Sequence, residues 1–256
     1  MSGNVGRHRE RGAGDHIGDH GTPRDGEDGV SFVSMSYEAF WIPGLDTDFD
    51  SDEALAIGDR WLRSSKYPGE PIIVLNAVEM TRRRDMLARM ASRYTVVSPR
   101  VRNRGWGHSH AVLAVWPYKE AMVLAERLAS PSGGLCVIEA SGVQQPAWVA
   151  GKRAINLADP DANRKPLVLD PEVRRILDSL LFFDGHNGFI SSEGKIRVVR
   201  DFRKMVADGF RPDPADVEAY ALQSADTDLE GAAKLRSYYE GVLSGRSYRD
   251  YGGRPI

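Results

Sequence analysis

The densest chemistry in this chain is carried by arginines. Positions 70 to 110 hold Arg82, Arg83, Arg84, Arg89, Arg93, Arg100, Arg102 and Arg104 against only three acids, Glu70, Glu79 and Asp85. The whole protein has a formal net charge of −2, so this segment departs locally from the rest. Guanidinium groups fork onto phosphate in a fixed planar geometry, and a helix N-terminus adds backbone N–H groups to the same task. Arg82 and Arg83 are expected at such a helix start, where cations are mildly unfavourable unless an anion docks beside them. Arg100, Arg102 and Arg104 share a loop with Gly105, Trp106 and Gly107, which joins phosphate forks to an aromatic face for stacking. The binding set read from the sequence is therefore Arg82, Arg83, Arg100, Arg102, Arg104 and Trp106. A phosphate-bearing small molecule or a nucleic acid suits it. The competing reading is a solvated basic face, partly paired with the acidic segment that runs from Asp46 to Glu53.

Acid–base and metal chemistry have thinner support. Glu139 falls at the end of an expected strand, with Trp148 as an aromatic wall nearby. Asp184 and His186 lie in the loop from Phe182 to Phe189, where two glycines allow close backbone approach and a carboxylate and an imidazole could act as acid and base. The catalytic candidates are thus Glu139, Asp184 and His186. His108 and His110 alternate where a strand begins, so both rings point one way and are the metal candidates, with Asp184, His186 or Glu139 as a third ligand. An enzyme reading, with or without a metal, would assemble Glu139, His108, His110 and the 184–187 loop.

Several signatures are missing. No G-x-S-x-G nucleophile turn occurs, and the single cysteine, Cys136, sits in an apolar run that reads as core. One cysteine permits neither an internal disulfide nor a cysteine-based zinc site. The turn Asn76–Thr81 has no glycine, so it is neither a dinucleotide fingerprint nor a P-loop. Asp46, Asp48 and Asp50 imitate half of a calcium loop, but Ser51 and Ile57 stand where the turn glycine and the bidentate glutamate belong. No cofactor is specified. The basic and aromatic run from Arg246 to Arg254 suits either a partner contact or packing on the last helix.

These residues need a scaffold, and the periodicity supplies one. Residues 1–35 are rich in Gly, Asp, Arg and His with few large apolar side chains, so this stretch, with His8, His16 and His20, is expected to be a disordered tail; Met35 offers an alternative beginning. An aromatic stretch, Tyr37 to Ile42, precedes a helix capped by Asp50 or Ser51, with Leu55, Ile57, Trp61 and Leu62 on its apolar face. Strands are expected over Ile72–Val78, Tyr94–Val97, Ala111–Trp116 and Leu135–Glu139. Helices fall between them, one capped by Thr81 and one opened by Pro117. Alternation of this kind marks βαβ units and a mostly parallel, Rossmann-like three-layer sheet. Helices dominate after Pro166, opened by Asp170-Pro171, Ser191 or Ser192, Asp213-Pro214, and Thr227. The fold class is α/β, with a sheet domain over 36–165 followed by a C-terminal helical subdomain over 166–256.

At 256 residues and 41% hydrophobic content, the chain can bury a large core. Nothing approaches a transmembrane span or a signal-peptide apolar stretch, so no membrane partner and a cytoplasmic setting are expected. A non-catalytic module that docks an acidic protein partner is a third functional reading. Whether the chain is an enzyme, and its oligomeric state, are not specified by the sequence.

Overall fold

The computed structural model describes residues 37–44, 51–100, 109–140, 142, 144–161, 166–185, 188–189, 191–224, 226–249 and 253–254. Six parallel strands form one sheet: β1 (Glu38–Ile42), β2 (Ile72–Val74), β3 (Thr95–Val97), β4 (Ala111–Val115), β5 (Gly134–Ile138) and β6 (Ile155–Asn156), in the order β3-β2-β4-β5-β1-β6. The α/β fold with a helical C-terminal region expected from the sequence is the fold observed.

Strand periodicity of two explains the layering. Val112, Ala114, Leu135 and Val137 point to one face, whereas Ala111, Leu113, Val115, Cys136 and Ile138 point to the other. The second face is covered by α1 (Ser51–Ser64) and α2 (Asp85–Ala91), through Leu55, Leu62, Leu87 and Met90. The first face receives α3 (Lys119–Ala129), α4 (Pro146–Gly151) and the C-terminal helices α5 (Pro171–Asp184), α6 (Ser192–Ala207), α7 (Pro214–Ala221) and α8 (Leu229–Leu243). One buried cluster runs from Val112 and Val137 on the sheet to Phe202, Leu235 and Tyr239 in those helices. Cys136 is fully buried, as read from its neighbours.

Helix starts follow local chemistry. Asp170, Asp213 and Asp228 each accept a hydrogen bond from a backbone N–H of the first turn, and Ser191 does the same for Gly194. Asp228 takes the capping place expected for Thr227.

Three other departures are informative. The aromatic stretch from Tyr37 supplies β1, which lies between β5 and β6, a place its half-polar sequence does not announce. Thr81 caps nothing: its hydroxyl donates to the Val78 carbonyl inside a 3-10 turn, Val78–Arg82, and α2 begins only at Asp85. Arg82 and Arg83 therefore stand before a helix of 7 residues rather than in its first turn. Third, α4 and β6 follow Glu139 in a stretch for which the sequence named no element.

Candidate functional site

Open parallel sheets bind ligands beyond the C-terminal ends of strands, where neighbouring strands send their connections to opposite faces. Two such crevices exist here. At the first, β2 exits toward α2 and β4 toward α3. Asn76 closes it: its Nδ2 donates to the Trp116 carbonyl at 2.7 Å, and its Oδ1 accepts from Tyr118 N–H at 2.7 Å. Trp116 takes a left-handed φ of 49° to make this turn.

At the second crevice, β1 exits toward α1 and β5 toward α4, and here a cavity of about 900 Å³ remains open. Gly44 makes the two strand ends approach: a Cβ on it would lie 2.7 Å from Ala140 N and from the Glu139 carbonyl carbon. Glu139 is 6% exposed, and its Oε1 accepts from Gln145 N–H at 2.6 Å, with a further backbone hydrogen bond from Gly44. Burial pushes its carboxyl above the usual range, and the two backbone donors oppose that shift. Glu139 thus latches the β1 and β5 exits together while lining the cavity.

The rest of the wall has apolar and cationic components. Trp41, Val149 and Leu167 give it hydrophobic area, and Arg153 and Arg174 bring two guanidinium groups. Arg153 holds a left-handed φ of 51° between α4 and β6, an unusual conformation for a side-chain-bearing residue. Tyr220 closes the α7 side, its hydroxyl donating to Asp178 at 2.7 Å; burial foremost, then that carboxylate, pushes the phenol up to about 12. With Gln144, Asn156 and Gln223 also on the wall, the combination is a concave pocket in which apolar side chains alternate with polar ones, a setting in which small-molecule sites occur.

Of the residues singled out from sequence that the structure describes, all but Glu139 are distributed elsewhere. Arg82, Arg83 and Arg100 leave the same C-terminal edge at β2 and β3, are exposed, and none is ion-paired among the described residues. β2 lies three strand spacings from β1 and β3 four, roughly 14 and 19 Å, and none of the three arginines lines the cavity. Arg93 is different, pairing with the buried Asp59 at 3.3 Å beside Arg63. Arg102, Arg104, Trp106 and His108 lie outside the described residues, as do His186, Asn187 and the Asp46–Asp50 repeat.

His110 sits before β4, at the N-terminal edge, whereas Glu139 follows β5. A five-residue strand separates those edges by roughly 17 Å, so these two do not share one site. His110 Nδ1 is 2.9 Å from the Glu70 carbonyl and must donate to it, and Nε2 is buried without a hydrogen-bond partner among the described residues. Asp184 ends α5 and is buried, with Arg197 Nη1 at 3.7 Å. Among the described residues no group of three His, Cys, Asp or Glu could hold a metal ion. Trp148 is a core residue, 1% exposed, and Trp41 takes the wall position expected for it. Arg153, Arg174 and Trp41 carry no local signal that separates them from surface or core residues. They meet only because α4, α5 and β1 converge.

No protein-family model, curated protein or solved structure matches this chain. Among the described residues no helix is long and apolar enough to cross a membrane.

Proposed function

We propose that this protein binds a phosphate-bearing small molecule in the cavity at the β1–β5 crevice. The observation that carries the reading is the position of that cavity, at an open topological switch point lined by Arg153 and Arg174. The guanidinium groups would fork onto phosphate, Trp41 and Leu167 would cover an apolar body, and Glu139 is the carboxylate available to a ligand hydroxyl. The raised carboxyl of Glu139 also makes it the group best suited to move a proton should the bound molecule react.

A second reading has its own support. Exposed Arg82, Arg83, Arg84 and Arg100 share one sheet edge without ion pairs among the described residues, which suits a polyanion such as single-stranded or duplex nucleic acid. One set of titrations separates the two. Calorimetry with nucleoside mono- and diphosphates is expected to show binding that Arg174→Gln weakens about ten-fold, the loss of one charge-assisted contact. Substituting Arg82, Arg83 and Arg100 with glutamine is expected to leave that affinity unchanged. Oligonucleotide binding that falls steeply with salt and is lost in the triple variant, with no nucleotide binding, would replace the first reading by the second.

A further inference from the structure

A second cavity, of about 1210 Å³, opens between α3, the end of α4 and the N-terminal half of α8. Its wall contains a polar group of three, two of them buried and one half-buried. The Tyr37 hydroxyl donates to the Glu126 carboxylate and accepts from Trp148 Nε1–H at 3.0 Å. Glu126 also accepts from the Leu229 backbone N–H, so its oxygens tie together the start of β1, α3 and α8. These bonds make Tyr37 and Glu126 structural, at 9% and 8% exposure.

Lys152 is the third member and is placed differently. It follows α4, lines the cavity, and sets its Nζ 5.6 Å from the centroid of the Tyr37 ring. No carboxylate lies within 4.0 Å of it among the described residues. Among the other described lysines, Lys66 is exposed, Lys119 faces Glu230 at 3.6 Å, Lys204 pairs with Asp208, and Lys195 donates to the Arg249 carbonyl.

We propose that Lys152 is a carbonyl-reactive amine and that this cavity admits a small aldehyde or ketone that condenses with it. The neutral amine's lone pair attacks the carbonyl carbon, and the C=O π pair moves to oxygen, which takes a proton. The carbinolamine then loses water to give the C=N bond. Both amine hydrogens leave in that water, and no redox partner is needed. A protein lysine does this near neutrality only if its ammonium form is disfavoured. Removal from water acts in that direction at Lys152, while Glu126 and Asp228 oppose it. The other charged lining groups are Lys119 and Arg127 on α3, Arg153 beside Lys152, and Asp226, Glu230 and Lys234 around the start of α8.

The test is brief exposure of the full chain to acetaldehyde with cyanoborohydride at mildly acidic pH, followed by peptide mass mapping. Acetaldehyde carries no charge, so the outcome does not depend on the phosphate reading. Lys152 is expected to be alkylated several-fold faster than Lys66, which is exposed to solvent. Asp228→Asn retains a capping oxygen for α8 but removes a charge that favours the ammonium. It is therefore expected to speed Lys152 labelling further and leave Lys66 unchanged. A Lys152 rate equal to or below that of Lys66 in the wild-type chain would overturn the proposal. Slower Lys152 labelling in Asp228→Asn would do the same.

Discussion

Glu139 connects the residue scale to the site, because one carboxylate joins two strand exits and lines the cavity between them. Its folded-state pKa lies above the unfolded one, chiefly through burial. A folded chain that holds this proton more tightly than the unfolded chain loses stability as pH rises from the unfolded value through the folded one. Glu139→Gln keeps an oxygen for the Gln145 N–H and abolishes that titration. The wild-type chain is therefore expected to lose stability relative to Glu139→Gln as pH rises above about 4.3, with a slope of at most ~1.4 kcal/mol per pH unit. Urea denaturation of both proteins from mildly acidic to neutral pH checks this, and parallel curves would show that Glu139 titrates as it does unfolded. The sequence singles out Glu139 because a carboxylate at a strand end is visible in a strand pattern. It is silent on Arg153 and Arg174, whose relevance comes from an approach between segments far apart in the chain.

Elements were legible where burial acts on every residue of a run. The four strands β2 to β5 are short apolar runs bounded by turns, and α5 to α8 begin at Asp or Ser caps, so each announces itself. By contrast, β1 is interrupted by Glu38, and α4 and β6 are too short for a period to develop. Yet α4 decides the geometry of both cavities, since it presents Val149 to one and Lys152 to the other. Its seat against α7 depends on Gly151, where a Cβ would fall 2.5 Å from the Ala219 carbonyl oxygen and 2.7 Å from Leu222 Cβ. Gly151→Ala must push the two helices apart and is expected to cost about 1–3 kcal/mol, the usual range for overpacking. Because α7 carries Tyr220, the same change is expected to weaken ligand binding at the β1–β5 cavity. Thermal unfolding and calorimetry on one preparation measure both effects. Unchanged stability would mean that α4 and α7 are not packed as closely as these distances require.

At the scale of the whole molecule, the C-terminal helices and the sheet complete one another. Val112, Leu135 and Val137 on the first face meet a cluster that continues through Val173, Leu177, Phe202, Leu235 and Tyr239. Without α5 to α8 the outer sides of α3 and α4 would lose their cover and both cavities would lose a wall, so the boundary near residue 166 divides compositions rather than hydrophobic cores. All 5 tryptophans lie before residue 150, whereas four of the eight α-helices among the described residues follow residue 170. Tryptophan fluorescence thus reports the sheet region, and helical far-UV circular dichroism draws heavily on the C-terminal region. If one core holds both, the two signals share a single midpoint in urea, as cooperative two-state unfolding demands. A fragment ending at residue 165 is then expected to bind hydrophobic dye and lack a sharp thermal transition, because the outer apolar sides of α3 and α4 have nothing to pack against. Two separated midpoints, with the sheet fragment melting cooperatively by itself, would show that the helices are an appendage. The cavity lined by Trp41 and Glu139 would then have to function without Arg174 and Tyr220.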